Sequence, residues 1–534
     1  MFEKMSVLGL CLGLCLAGHS ASFAEPAERW ATDKLIIRFD TAGLRRGQSL
    51  RPQETLPDVR VGGQPLKMVR RFDGNGMVVR LPRKVEPDRA RQIAKQLALQ
   101  PGIAAAQPDK RLYPAFVPDD PAYPPGPEAL GGPGQWYLFE DAAGIRLQDA
   151  WDRERGSTSV VIAHLDTGIV AHRDLDPLGT RILPGYDFIT EELTANDGDG
   201  RDPDPTDPGD WVKADDLCFD PDRPELNQSS WHGLSVAGVM VAEADNGIDI
   251  AGIDFAARLL PLRVLGKCGG SLSDVADAIR WAVGLPVAGV SRVNPWPAKV
   301  INLSLSGVGA CSPEEQAAID AATASGAVVV VAAGNQASDV AGFSPANCSN
   351  VITVGATDRI GGRASYTNVG EEVDISAPGG EGEDGILTLY NTGTTSPEAD
   401  RLAYIRGTSF PTAQVSAVVA LMRAVNGTLE PATIEQFLRG TARPFTDSSC
   451  NPAQCGQGIL DASAAVSGAA DPASVPAPSA EAGDDDSGGG GCTMAVGRGA
   501  RYDLSPMVVL LLGSVFRRWL RGRGAGVARS ARTC

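Results

Sequence analysis

Arg406-Gly407-Thr408-Ser409-Phe410-Pro411-Thr412-Ala413, running on through an apolar stretch to Met422, is the segment from which the rest of the chain can be read. It reads as a loop that delivers a serine to the start of a buried helix. Free N–H groups and the positive end of the helix dipole favour negative charge there, which suits a nucleophile that passes through an anionic intermediate. Serine is also an ordinary N-cap, and proline is at home in a first turn. Gly407-Thr408-Ser409 by itself favours the cap, so the role of Ser409 depends on what else the chain supplies.

A hydrolytic serine needs a base within reach and a carboxylate that fixes the base's tautomer. The chain has four histidines. His19 lies in the leader. His164 sits inside the strand-like run Val160 to Leu165 and reads as a satisfied core residue. His172 reads as a loop residue making local hydrogen bonds. His232, in Trp231-His232-Gly233, precedes a helix whose Gly233, Ser235, Ala237 and Gly238 allow close packing, and it is the candidate base. Asp166, in Asp166-Thr167-Gly168 directly after Leu165, is the candidate carboxylate at a strand's carboxyl end. Asn335 follows the run Ala327 to Ala333, and its amide can donate to an oxyanion. Each position also has a bland reading as a turn or cap residue. Together they stand in the order Asp166, His232, Asn335, Ser409, which contains the Asp, His, Ser order of subtilisin.

On these residues the chain from about Trp136 to Val466 resembles the subtilisin-like serine proteases. The matching motifs are Asp166-Thr167-Gly168, His232-Gly233, Asn302-Leu303-Ser304-Leu305-Ser306-Gly307, Ala332-Ala333-Gly334-Asn335 and Gly407-Thr408-Ser409. The resemblance implies that Ser409 attacks a peptide carbonyl, His232 shuttles the proton, Asp166 orients His232, and Asn335 with the Ser409 N–H holds the oxyanion. It implies that Leu303, Ser304, Leu305, Ser306 and Gly307, with Ala332, Ala333 and Gly334, flank the substrate backbone. Departures lie beside the reactive groups: Leu234-Ser235-Val236 replace the usual Thr-His-Val, and Phe410-Pro411 follow the serine in place of Met-Ala. They bear on substrate preference more than on activity.

The remaining sequence fits a secreted enzyme. An excess of 65 acidic over 48 basic residues gives a net charge of -17 and argues against a nucleic-acid surface. Residues 1–24 read as a signal peptide, ending in Ser22-Phe23-Ala24. Residues 25–117 form a small cysteine-free unit with its linker: Lys34 to Phe39 and Met77 to Leu81 are strand-like, and Pro87 to Leu99 is helix-like. Pro114 to Pro133 reads as linker. By the resemblance the small unit is an inhibitory prodomain removed autocatalytically.

In 118–466, short apolar runs alternate with helical segments (Leu234 to Ala244, Leu272 to Val283, Pro313 to Ala324). This predicts an α/β fold with a doubly wound, mainly parallel sheet. Residues 467–491 read as a flexible Ala, Pro, Ser, Asp and Gly linker. The segment 492–534 resembles a bacterial C-terminal sorting tail, which implies transient membrane association through a retained, then processed, intermediate; an unprocessed short anchor is its rival.

Export makes disulfides the default for Cys218, Cys268, Cys311, Cys348, Cys450 and Cys455. Pairing sequence neighbours gives Cys218 with Cys268, Cys311 with Cys348 and Cys450 with Cys455; zinc is the alternative. The loop Asn196 to Asp207 concentrates carboxylates among Gly and Pro, and Asp197, Asp199 and Asp202 are the candidate calcium ligands. The expected partners are polypeptide substrates and the chain's own prodomain. A catalytically inactive binding protein on the same fold is the rival reading.

Overall fold

The computed structural model describes residues 32–39, 60–61, 64–72, 75–109, 116–123, 132–176, 179–216 and 218–474. The expected signal peptide and the tail 492–534 lie outside these residues. Among the described residues no helix is long and apolar enough to cross a membrane.

The small unit is a four-stranded sheet with a helix. Its strands β1 (Thr32–Phe39), β2 (Lys67–Phe72), β3 (Gly76–Val85) and β4 (Ile103–Pro108) lie in the order β2-β3-β1-β4, with every neighbouring pair antiparallel. Helix α1 (Pro87–Ala98) opens on Pro87, where the missing N–H has no helical partner to lose. Ile93, Ala94 and Leu97 on α1 close over Leu35, Ile37 and Phe39 of β1 and Met77, Val79 and Leu81 of β3. The period-2 and period-3.6 patterns expected from the sequence meet in this core.

The large unit carries a seven-stranded parallel sheet. Its strands are β5 (Val161–Asp166), β6 (Tyr186–Asp187), β7 (Arg258–Arg263), β8 (Val300–Leu303), β9 (Val328–Ala332), β10 (Ile352–Thr357) and β11 (Ile375–Pro378). They lie in the order β11-β10-β9-β8-β5-β7-β6. Strands β5, β8 and β9 are buried along their whole length because helices cover both faces. Helices α2 (His232–Val241) and α5 (Ser409–Val425) pack on one face with Ile162, Val300 and Val330. Helices α3 (Leu272–Ala282) and α4 (Pro313–Ala324) pack on the other with Ala163, Ile301 and Val329. The starts of α3 and α4 are set by side-chain caps: Ser271 accepts from the Asp274 N–H, and Ser312 with Glu315 forms a capping box. Strand β5 lies between β7 on one side and β8 on the other. The chain therefore reverses its winding at β5, and in doubly wound sheets the carboxyl end of a strand at such a point is where ligands bind.

Two expectations need correction, and some elements went unread. Residues 116–123 are not linker: Tyr123 is buried and edge-on to Trp151 with ring centroids 5.7 Å apart, and Phe116 meets the same indole at 5.6 Å. The Pro, Asp and Gly composition there masked aromatic anchors. The linker placed at 467 begins later, because helix α7 (Ala462–Ala470) buries Gly468 and Ala469, its start capped by the Asp461 side chain. An alanine-rich run is helix as readily as linker. Strand β11, the hairpin of β12 (Ile386–Asn391) with β13 (Asp400–Ile405), and helix α6 (Pro431–Thr441) were not read from the sequence.

All three disulfides form as expected, Cys218–Cys268, Cys311–Cys348 and Cys450–Cys455. Among the described residues the one group close enough to hold a metal is Cys311, Glu315 and Cys348, and its two sulfurs are joined to each other, which disposes of zinc there.

Candidate active site

Asp166 is the last residue of β5, His232 the first of α2 and Ser409 the first of α5. One strand end and two helix starts on one face of the sheet therefore bring together residues 66 and 177 positions apart. The His232 Nδ1–H donates to Asp166 Oδ1 at 2.7 Å, and the Ser409 hydroxyl donates to His232 Nε2 at 2.9 Å. Asp166 is fully buried and Ser409 nearly so. His232 keeps about a quarter of its side chain exposed (27%).

Electrostatics fit these contacts. Burial pushes the Asp166 carboxyl up, but the charge and hydrogen bond of His232, with His164 and the Thr167 N–H, hold it below its ordinary value. Burial pulls His232 down, and the charge and hydrogen bond of Asp166, helped by Asp210 and Asp207, leave it above the ordinary imidazole value.

Ser409 is the first helical residue rather than the cap. Thr408 precedes it, and the Thr408 hydroxyl donates to Asn335 Oδ1 at 2.9 Å while accepting from the Gly334 N–H. The Thr408 N–H also donates to Asn335 Oδ1, at 2.9 Å. With its oxygen end occupied twice, Asn335 has its NH₂ end left as the donor, and the residue is exposed. Gly407 takes a φ of +149°, so the residue that aims Thr408 and Ser409 is one that needs no Cβ. Gly233 is required by contact: a Cβ there would stand 2.0 Å from the Gly168 carbonyl.

Of the segments expected to flank a substrate, Leu303, Ser304, Ala332, Ala333 and Gly334 are buried, and their side chains belong to the sheet end. Leu305 and Ser306 are half-buried and Gly307 is exposed, so these are the ones open to a ligand. Phe410 is buried against the core, its ring 6.5 Å from that of His232.

The acidic loop is held by contacts of its own. Asp197 pairs with the buried Arg263 at 2.7 Å and accepts from the Asp199 N–H, Asp202 accepts from the Asp204 N–H, and Asp199 is exposed. Among the described residues these three carboxylates do not form one close cluster. Arg263 also donates to Asp187 and to the carbonyls of Thr167 and Ala195. It thereby ties the acidic loop to the backbone just after Asp166.

One contact near the site went unread. The Thr167 hydroxyl donates to Asp207 Oδ2 at 2.7 Å and accepts from the Gly233 N–H at 3.0 Å. Asp207 is buried beside Asp210, and burial pushes its carboxyl up to about 7. A Thr or Asp inside a loop gives no local sign of such a partner. His164 and His172 are as expected: His164 is buried in β5, and His172 accepts locally from the Asp174 N–H.

A doubly wound sheet with an Asp–His–Ser hydrogen-bonded line at the carboxyl end of its central strand has the design of a serine peptidase. Residues 157–486 match the Subtilase family. The chain is 43% identical over 405 residues to an extracellular protease of Xanthomonas campestris pv. campestris, a match covering 76% of this chain and 66% of that one. It is 34% identical over 466 residues to an extracellular basic protease of Dichelobacter nodosus, covering 86% of this chain and 74% of the relative. A solved protease of Pseudoalteromonas arctica superposes with a TM-score of 0.61 at 43% identity, over 66% of this chain and 100% of that one. The chain belongs to the subtilase family, the subtilisin-like serine proteases.

Proposed function

We propose that the protein is a secreted endopeptidase, made as a zymogen, that hydrolyses peptide bonds through Asp166, His232 and Ser409. The observation that carries this reading is the unbroken line from Asp166 Oδ1 through His232 to Ser409 Oγ, at 2.7 and 2.9 Å. His232 Nε2 takes the Ser409 proton as Oγ attacks the scissile carbonyl, and the imidazolium so formed faces the Asp166 carboxylate. The Asn335 NH₂ and the Ser409 N–H receive the charge that develops on the carbonyl oxygen. His232 then returns the proton to the leaving amine, and water repeats the cycle on the acyl-enzyme. Secretion is supported by relatives named as extracellular proteases.

The small unit is read as the inhibitory prodomain, and the tail 492–534 as a sorting segment that holds an intermediate at the membrane. Calcium at Asp197, Asp199 and Asp202 is proposed on the loop's acidity alone. Chelation that lowers the Tm of the wild type but not of Asp197→Asn assigns the ion to this loop; an equal fall in both puts it elsewhere.

The reading is tested with a fluorophosphonate probe on the purified protein. Labelling that disappears in Ser409→Ala supports the nucleophile, and labelling that survives the change removes it. A wild-type chain that neither labels nor cleaves would be the inactive binding protein.

A further inference from the structure

Beneath the triad lies a second histidine that the mechanism does not use. His164 precedes Asp166 by two positions on β5, so both side chains leave the same face of the strand. His164 is 1% exposed, and its Nε2 stands 3.9 Å from Asp166 Oδ2, an oxygen with no hydrogen-bond partner among the described residues. In the parallel register of β5 and β8, His164 is paired with Asn302, so these two buried polar residues sit side by side on the central strands.

The contacts of this pair run to both helices that deliver the triad. His164 Nε2 lies 2.9 Å from the Gly233 carbonyl, which can only accept, so the proton is on Nε2 and the ring pins the first turn of α2 just after His232. Burial holds the His164 ring in its neutral form. His164 Nδ1 is then the acceptor, and it faces the Asn302 amide at 3.4 Å. The same amide donates to Ser304 Oγ at 3.0 Å, and Ser304 Oγ donates to the Ser409 carbonyl at 3.0 Å. Asn302 Oδ1 accepts from Ser416 Oγ at 2.8 Å, two turns along α5 from the nucleophile. Helix α2 thus hangs from His164, and helix α5 from Asn302 at two points.

We infer that His164 is a positioning residue: with Asn302 it forms a polar floor that sets the spacing of His232 and Ser409 by holding the backbone of both helix starts. An apolar residue at 164 would fill the volume but make none of these bonds. A hydrogen bond lost at the floor lets the helix starts drift, and proton transfer across a 2.9 Å contact is sensitive to sub-ångström displacement. The inference rests on the proposed triad.

The test uses the full chain. His164→Val lowers kcat for a peptide substrate about tenfold with KM within about twofold, and slows fluorophosphonate labelling in proportion. His164→Gln, whose amide can donate to the Gly233 carbonyl, recovers most of the loss. Ser416→Ala, a milder change, costs about threefold, and its effect is less than additive with His164→Val because both loosen one floor. A His164→Val protein with wild-type kcat, or one that Gln does not rescue although the Tm values of the two variants agree, overturns the inference. If His164→Val does not fold, Ser416→Ala decides: unchanged kcat overturns the proposal. Failure of the triad itself reads differently, as labelling unaffected by Ser409→Ala.

Discussion

The two sheets of this protein are built on opposite plans. In the small unit, strand β1 alternates, with Leu35, Ile37 and Phe39 buried and Lys34, Ile36 and Arg38 less so. One helix supplies its cover, and no disulfide falls within it. In the large unit, β5 is buried at every position, helices close both faces, and three disulfides tie the loops. A small sheet with one covered face buries a smaller fraction of its surface and is the less self-sufficient structure. That contrast is in keeping with the role proposed for the small unit as a prodomain.

The sharpest way to break the contrast is to remove the nucleophile. Ser409→Ala lowers peptide hydrolysis about 10⁶-fold, the scale set by subtilisin. It should also leave the small unit attached, so that intact mass includes residues 25–117. A variant that still loses the unit would show that another protease cuts it. Asn335→Ala reduces kcat about 10² to 10³-fold with little change in KM, again on the scale of subtilisin, because the donor serves charge that exists only in the transition state. A matching rise in KM would mean that it binds ground state instead.

Stability separates the units next. Replacing Cys218 and Cys268 by Ala removes a cross-link across 50 residues and costs the large unit about 4 kcal/mol in the loop-closure picture. In the small unit Leu35→Ala costs about 2–5 kcal/mol. In a Ser409→Ala background, calorimetry should show each change shifting one transition; a shared shift would make the two units one cooperative body. Asp254 gives an effect that depends on pH. It is fully buried with Oδ2 unpartnered, and burial pushes its carboxyl up to about 8. A raised folded pKa favours the protonated form, so its contribution is present below the unfolded value of about 4 and is lost as pH rises to about 8. Asp254→Asn should therefore raise Tm by several degrees more at pH 9 than at pH 5.

The sequence revealed those parts of the fold whose period matched their burial. Pro313 to Ala324 is a helix end to end because Ser312, Pro313 and Glu315 mark its start locally. The strands around Asp166, Asn302 and Asn335 were visible as largely apolar runs. Strand β11 and the β12–β13 hairpin were not visible, because Ile375–Pro378 is too short to show a pattern and the hairpin's partners are set by packing under α2. Within the site, residues at element ends were legible and residues acting across elements were not. Asp207 reaches Thr167 from 40 positions away, and the Asn302–His164 pairing depends on a strand register that no single segment encodes.

The cross-links divide the site in a way the contact distances do not display. The chain between Cys218 and Cys268 is a closed ring that contains His232, and the ring from Cys311 to Cys348 contains Asn335; Asp166 and Ser409 lie on open chain. Base and oxyanion donor are thus each carried inside a covalent circle, whereas carboxylate and nucleophile are not. Completion of the rings needs an oxidising compartment. Chemistry outside the molecule therefore decides when two of its four reactive groups are fastened, and a chain held reduced keeps its nucleophile while the loops bearing its base and its oxyanion donor stay unclosed.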